Sequence, residues 1–172
     1  MSRTNWSLAA CVALSVAAWA CAPGEAGSAE SGAAETETGQ VATASAHVAD
    51  VAMTVYKSPA CGCCESWIEH LREAGFDVEV EDTNDLAAVK AEQGVPASLS
   101  SCHTAVAGGY VFEGHIPVED IVAFLEETPD ARGLAVPGMP IGSPGMEQGD
   151  RVDPFDVILF DESGTRVYRS HR

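Results

Sequence analysis

The sequence predicts an α/β fold of thioredoxin-like order: a central mixed sheet flanked by helices, with an added C-terminal loop and β-hairpin. Three observations predict it. A β-prone stretch at residues 51–56 hands over, through a cysteine-bearing turn, to a run with helical spacing of apolar residues. Pro96 later precedes a pair of short strands and a further amphipathic run. The strand-like and helix-like stretches follow the order β-α-β-α-β-β-α before two closing strands, the alternation expected of an α/β domain.

Each element has its own signal. Met53 and Val55 alternate with polar positions in the first strand, and Ser58-Pro59-Ala60-Cys61-Gly62 reads as a turn. From Cys63 or Cys64 onward, Trp67, Ile68, Leu71 and Ala74 recur at helical spacing, and Gly75 followed by Phe76 reads as a helix C-terminus. Phe76, Val78 and Val80 alternate with Asp77, Glu79 and Glu81, giving a second strand. Thr83 or Asn84 caps a predicted helix over residues 85–93, which Gly94 stops. Strands near residues 103–107 and 110–113 meet at Gly108-Gly109, a hairpin signal. Pro117 suits the first turn of a helix whose apolar face is Val118, Ile121, Val122 and Leu125. Residues 133–149 hold five Gly and three Pro and read as an irregular loop. Residues 155–160 and 165–168 form a closing hairpin across Glu162-Ser163-Gly164.

With 172 residues, the chain suits one globular domain. Its 26 acidic against 9 basic residues give a net charge of −17, which excludes phosphate backbones and anionic membrane surfaces as natural partners and favours cations. Arg3 followed by a 13-residue apolar run over residues 8–20 reads as an export signal, too short to span a bilayer. Ala18-Trp19-Ala20-Cys21 resembles a lipoprotein cleavage site, so Cys21 is the candidate lipidation site; plain cleavage after Ala20 is the alternative. Either way the protein is expected outside the cytoplasm, in the periplasm, touching membrane only through a lipid anchor. Residues 21–50 lack aromatic and basic side chains and read as a disordered acidic tether, with His47 as a solvated tether residue. Residues 51–172 then form the folded domain. It carries 21 acidic and 8 basic residues, a net of −13, so acidity extends beyond the tether.

Cys61-Gly62-Cys63-Cys64 lies where strand becomes helix, with free amide donors and the positive end of the helix dipole favouring thiolate. In a thioredoxin-like fold the loop around Pro96 passes over this turn, which would bring Cys102 to the other three. Four soft thiolates favour Cu(I) or Zn(II) over Mg or Ca. Structural zinc sites use spaced knuckles, whereas here three ligands crowd into four residues, so copper is preferred and zinc less favoured. A compact four-sulfur site can hold one ion or a small cluster. The same cysteines also admit two other readings. An exported protein is oxidised, and of the three ways to pair four cysteines only the one joining neighbours Cys63 and Cys64 is strained. Cys61-x-x-Cys64 is also a dithiol motif fit for disulfide exchange.

Met139 and Met146 are soft thioethers in the Pro/Gly-rich loop and are candidate accessory ligands or packing residues. His115 is a candidate ligand or loop anchor. His103, next to Cys102, is expected to point away from it if the strand has begun, leaving a supporting hydrogen bond or a core role. His70 is two turns from Cys63, too far to share its ion. Trp67 is expected in the core or walling the site, His171 in solvent, and Lys57 either beside the thiolates or exposed.

Together, Cys61-Gly-Cys-Cys-Glu-Ser-Trp67 with His70-Leu71, Gly94-Val-Pro96, Ser101-Cys102-His103-Thr104, Gly108-Gly109-Tyr110, Glu113-Gly114-His115 and Gly133-Leu-Ala-Val-Pro-Gly-Met-Pro140 running on to Glu147 form a specific pattern. It resembles the CopG-like copper-binding family of bacterial periplasmic proteins and copper-resistance gene clusters, over nearly all of residues 51–160. The resemblance implies a thioredoxin-like fold, a copper site from Cys61, Cys63, Cys64 and Cys102, and a role in copper tolerance. The expected function is thus a non-enzymatic periplasmic Cu(I) binder that exchanges copper with other periplasmic copper-handling proteins. A thiol-disulfide oxidoreductase using Cys61 and Cys64 is the alternative, and a structural zinc or disulfide module is a third reading.

Overall fold

The computed structural model describes residues 51–172; the expected export signal and tether, with Cys21 and His47, lie outside the described residues. Seven strands form one mixed sheet: β1 (Ala52–Lys57), β2 (Asp77–Asp82), β3 (His103–Ala107), β4 (Tyr110–Glu113), β5 (Gly133–Ala135), β6 (Phe155–Asp161) and β7 (Gly164–His171). Three helices join them, α1 (Gly62–Glu73), α2 (Leu86–Glu92) and α3 (Val118–Glu127), with a short 3-10 turn at Ala97–Leu99. The spatial order is β2-β1-β3-β4-β5-β6-β7. β1 runs parallel to β2 and antiparallel to β3, and β3 is antiparallel to β4. This half is compatible with a thioredoxin-like core. The C-terminal strands then extend the same sheet, β5 parallel to β4 and β6 and β7 antiparallel to their predecessors. No described helix is long and apolar enough to cross a membrane.

Alternation decides which way β1 faces: Met53, Val55 and Lys57 point inward. The helical spacing read from sequence buries Cys64, Trp67, Ile68 and Leu71 of α1 against that face. The helix ends as Gly75 and Phe76 foretell. Gly75 takes φ +98°, its N–H donates to Arg72, and Phe76 N–H donates back to Leu71 (3.1 Å), a Schellman ending. Phe112, Ile121, Phe124 and Leu134 continue this core, while Val95, Leu99, Val111, Ala135 and Phe160 form a second cluster.

Two expectations need correction. The cap of α2 is neither Thr83 nor Asn84 but Asp85, whose carboxylate accepts from Ala88 N–H (3.1 Å). Thr83 instead accepts from the Asp85 amide, so a short polar run holds two successive caps. The predicted irregular loop at residues 133–149 begins with a fully buried strand, β5. Three residues carry no periodicity to read, and only pairing with both β4 and β6 makes them a strand.

Gly133 is essential to that pairing. A Cβ built there would fall well inside van der Waals contact of the Val111 carbonyl, its register partner on β4. Gly133→Ala is therefore expected to cost about 3 kcal/mol, since overpacking against backbone has no side chain to yield. Urea unfolding checks this; an unchanged midpoint contradicts it.

Candidate metal centre

The antiparallel register places the site. Lys57, the last residue of β1, pairs with His103, the first of β3. The chain leaving β1 into the cysteine turn therefore lies beside the chain entering β3, one residue after Cys102. Pro96 opens the 3-10 turn at Ala97–Leu99, and three residues beyond that turn Cys102 reaches the cysteine turn, its sulfur 3.5 Å from that of Cys64. Cys61 caps α1 in extended conformation without a side-chain capping hydrogen bond, leaving its sulfur for other use. Cys63 and Cys64 follow in the first helical turn.

All four sulfurs come together, within 4.8 Å of one another. Cys61 and Cys64 are joined as a disulfide, while Cys63 and Cys102 are free thiols. The Cys63 sulfur stands 3.5 Å from Cys61, and the Cys102 sulfur 3.5 Å from Cys64. One bridge rather than two closes among the described cysteines. Burial, reinforced by the nearby Cys63 thiol, pushes the Cys102 thiol up to about 12. Without metal it is protonated at neutral pH, so a metal ion must displace its proton.

Two imidazoles stand against the Cys102 sulfur. His115 Nε2 lies 3.0 Å from the Cys102 sulfur, and its Nδ1 lies 2.8 Å from the Pro144 carbonyl. A carbonyl only accepts, so Nδ1 carries the proton and the Nε2 lone pair faces the sulfur. His103 was expected to point away from Cys102, yet its Nδ1 is 3.3 Å from that sulfur. Adjacent residues at a strand entrance have not yet settled into the pleat. Its ring also packs on Trp67, with centroids 4.2 Å apart, and the Trp67 Nε1–H donates to Ile116 O (2.9 Å). His103 Nε2 is buried with no hydrogen-bond partner among the described residues. Cys102, His103 and His115 thus form a second set of clustered donor atoms sharing one sulfur with the first.

Burial is the leading cause that lowers both imidazoles below the ordinary histidine range. Folded protein therefore binds fewer protons than unfolded chain, whose histidines titrate near about 6.5. This part of the stability is present above that value and is lost as pH falls below it. Melting of metal-free protein is expected to drop on acidification from about pH 7.5 to about pH 5, and His103→Phe should flatten the slope. Equal slopes for the two proteins would count against this assignment.

The C-terminal loop straps over the helix end. Gly145 takes φ +81°, and a Cβ there would meet Cys63 O and Trp67 N, each at 2.7 Å. Glu147 anchors the strap, its Oε1 lying 2.9 Å from His70 Nε2 and accepting from Gly145 N–H. His70 is thereby an anchor of the strap, and it belongs to neither group of clustered donor atoms. Of the two candidate methionines, Met146 is half-buried in this strap, next to Gly145. Met139 is 52% exposed and lines a surface cavity with Pro137, Pro140 and Phe155 that none of the cysteines lines. Lys57 is not exposed but buried, held by Glu65 (2.6 Å) and Asp82 (2.9 Å), so two carboxylates balance its charge. His171 is not solvated: it pairs with buried Asp120 (2.7 Å) and stacks on Phe155.

One positioning group escaped the sequence. Glu113 is fully buried, and its Oε1 accepts from Lys90 Nζ (2.5 Å) and from the Ser101 N–H (2.5 Å). Its Oε2 accepts from Thr104 (2.7 Å), its register partner on β3. The carboxylate thereby holds the backbone immediately before Cys102. The available signal was an acidic residue closing an otherwise apolar strand, with no cation adjacent in sequence to explain it.

Known proteins agree with this architecture. Residues 99–146 match a family model described as protein of unknown function, DUF411. A solved structure named copper resistance protein copG, form 2, is 46% identical, with a TM-score of 0.68 over 71% of this chain and 98% of its own. Form 1 is also 46% identical, with a TM-score of 0.67 over 70% of this chain and 96% of its own. No curated protein matches. With such identity across the whole length of those neighbours, the chain belongs to the CopG-like family.

Proposed function

We propose that this protein binds Cu(I) as cargo through Cys61, Cys63, Cys64 and Cys102 once the Cys61–Cys64 bridge is reduced, and that it serves copper tolerance. The convergence of four sulfurs from two chain segments within 4.8 Å is the observation that carries this reading. The donor chemistry fits the ion. Thiolates and a buried imidazole lone pair are soft to intermediate donors, which suit Cu(I) and Zn(II) and not oxygen-seeking cations. Cu(I) accepts two or three sulfurs and lets a thiolate bridge two ions, so crowding of three cysteines into four residues suits copper better than a tetrahedral zinc knot. Copper-resistance neighbours support the same direction. In this reading Met146 and His115 are accessory donors, whereas Met139 faces a separate surface cavity. The protein acts outside the cytoplasm, held near a membrane by a lipid on Cys21, and exchanges copper with other copper-handling proteins.

Anaerobic titration of reduced, metal-free protein with Cu(I) against a competing chelator is expected to show tight binding that thiol alkylation abolishes. Reduced protein that leaves all Cu(I) with the chelator overturns the reading. Elemental analysis of protein from its native compartment separates copper from zinc.

A second reading keeps a specific footing: Cys61 and Cys64 form a bridge at a helix N-terminus, as a thiol-disulfide oxidoreductase requires. Catalytic turnover with a disulfide substrate, lost in Cys61→Ser, would favour it.

A further inference from the structure

The four sulfurs make a continuous series of contacts. The Cys61–Cys64 bridge occupies its middle, with the Cys63 thiol 3.5 Å from one end and the Cys102 thiol 3.5 Å from the other. A thiolate attacking either sulfur of a disulfide exchanges one partner for another. Here a free thiol already stands beside each sulfur, with no external reactant needed.

We propose that the bridge migrates between Cys61–Cys64 and Cys64–Cys102, with Cys102 as the internal exchange partner. The Cys102 thiol passes its proton to His115 Nε2, 3.0 Å away; the thiolate so formed attacks Sγ of Cys64, and the Cys64–Cys102 bond forms as the Cys61–Cys64 bond breaks. The bonding electron pair leaves on the Cys61 sulfur. The proton given up by Cys102 ends on Cys61, so there is no net oxidation or reduction.

The exchange changes which thiols stand free. Cys64 is fully buried, whereas Cys61 and Cys63 keep partial access to solvent. Moving the bridge onto Cys102 ties α1 to the entrance of β3. It also leaves Cys61 and Cys63 as neighbouring thiols at the outer side. Cu(I) accepts two sulfurs, so, resting on the proposed copper reading, the half-oxidised protein retains a reduced-capacity site facing solvent.

Peptide mapping tests the exchange without metal. Full-length protein carrying one bridge is incubated anaerobically, quenched in acid, alkylated and cleaved after Lys and Arg without reduction. A Cys61–Cys64 bridge stays within the peptide of residues 58–72, whereas Cys64–Cys102 joins it to the peptide of residues 91–132. The linked pair is expected within minutes to hours at about a tenth or more of all disulfide. It should persist in Cys63→Ser, and fragmentation of the linked peptides should place Cys102 on Cys64 and not on Cys61, the two cysteines that variant keeps in the first peptide. Complete alkylation of Cys102 in the wild type, or loss of the linked pair in Cys63→Ser, overturns the proposal. Cu(I) titration of the fully reduced protein reads the copper site separately. Binding without a linked pair refutes only the exchange, and a linked pair without binding refutes only the copper reading.

Discussion

Cys102→Ser is expected to lower the Cu(I) affinity of the reduced protein by about 100-fold or more, with the fold intact. Removing groups that merely support metal ligands costs about 10- to 100-fold, and Cys102 is itself the proposed donor. It is also the one sulfur supplied from outside the helix turn, and the one both imidazoles face, His115 at 3.0 Å and His103 at 3.3 Å. A serine hydroxyl is a hard oxygen donor that Cu(I) binds poorly. The residue is half-buried at a strand entrance and belongs to neither apolar cluster, so stability should change little. Competition titration and thermal melting of the same sample check both halves. Wild-type affinity would remove Cys102 from the site, and outright unfolding would make the cysteines a structural knot.

Glu113→Ala is expected to destabilise the protein by about 3–5 kcal/mol, the scale for deleting one partner of a buried ion pair. Lys90, with only 12% of its side chain exposed, would lose its carboxylate partner and keep only Thr104. The Ser101 N–H would lose its acceptor, freeing the backbone that carries Cys102. Cu(I) affinity should therefore fall by about tenfold as well, as for other supporting contacts at metal sites. Glu113→Gln keeps an oxygen of the same shape for Ser101 and should recover affinity more fully than stability. Urea unfolding and copper competition on the two variants check this. Equal losses of affinity in Ala and Gln would show that the charge, rather than the acceptor, holds the loop.

Much of the fold was legible because its signals are local. The alternation of β1, the spacing of Trp67, Ile68 and Leu71, the Gly75-Phe76 ending and the Gly108-Gly109 hairpin each arise within a few residues and survived folding. β5 did not announce itself, because three buried residues have no period and owe their conformation to neighbours on both sides. His171 looked like a frayed end, yet Asp120, far away in sequence, captures it. The same holds for Lys57, whose partner Asp82 comes from the adjacent strand.

By itself the sequence determined the chemistry available: four soft sulfurs, an acidic surface, and a strand-to-helix turn with unpaired amides at its end. Donor type is a property of each side chain and needs no fold to be known. Tertiary structure alone decided where those donors stand. Pairing Lys57 with His103 sets Cys102 against the cysteine turn, the strap puts Pro144 on His115, and Glu113 holds the intervening backbone. Such contacts join residues 12 or more positions apart, and their free energy comes from burial and pairing that exist only after the chain has closed on itself.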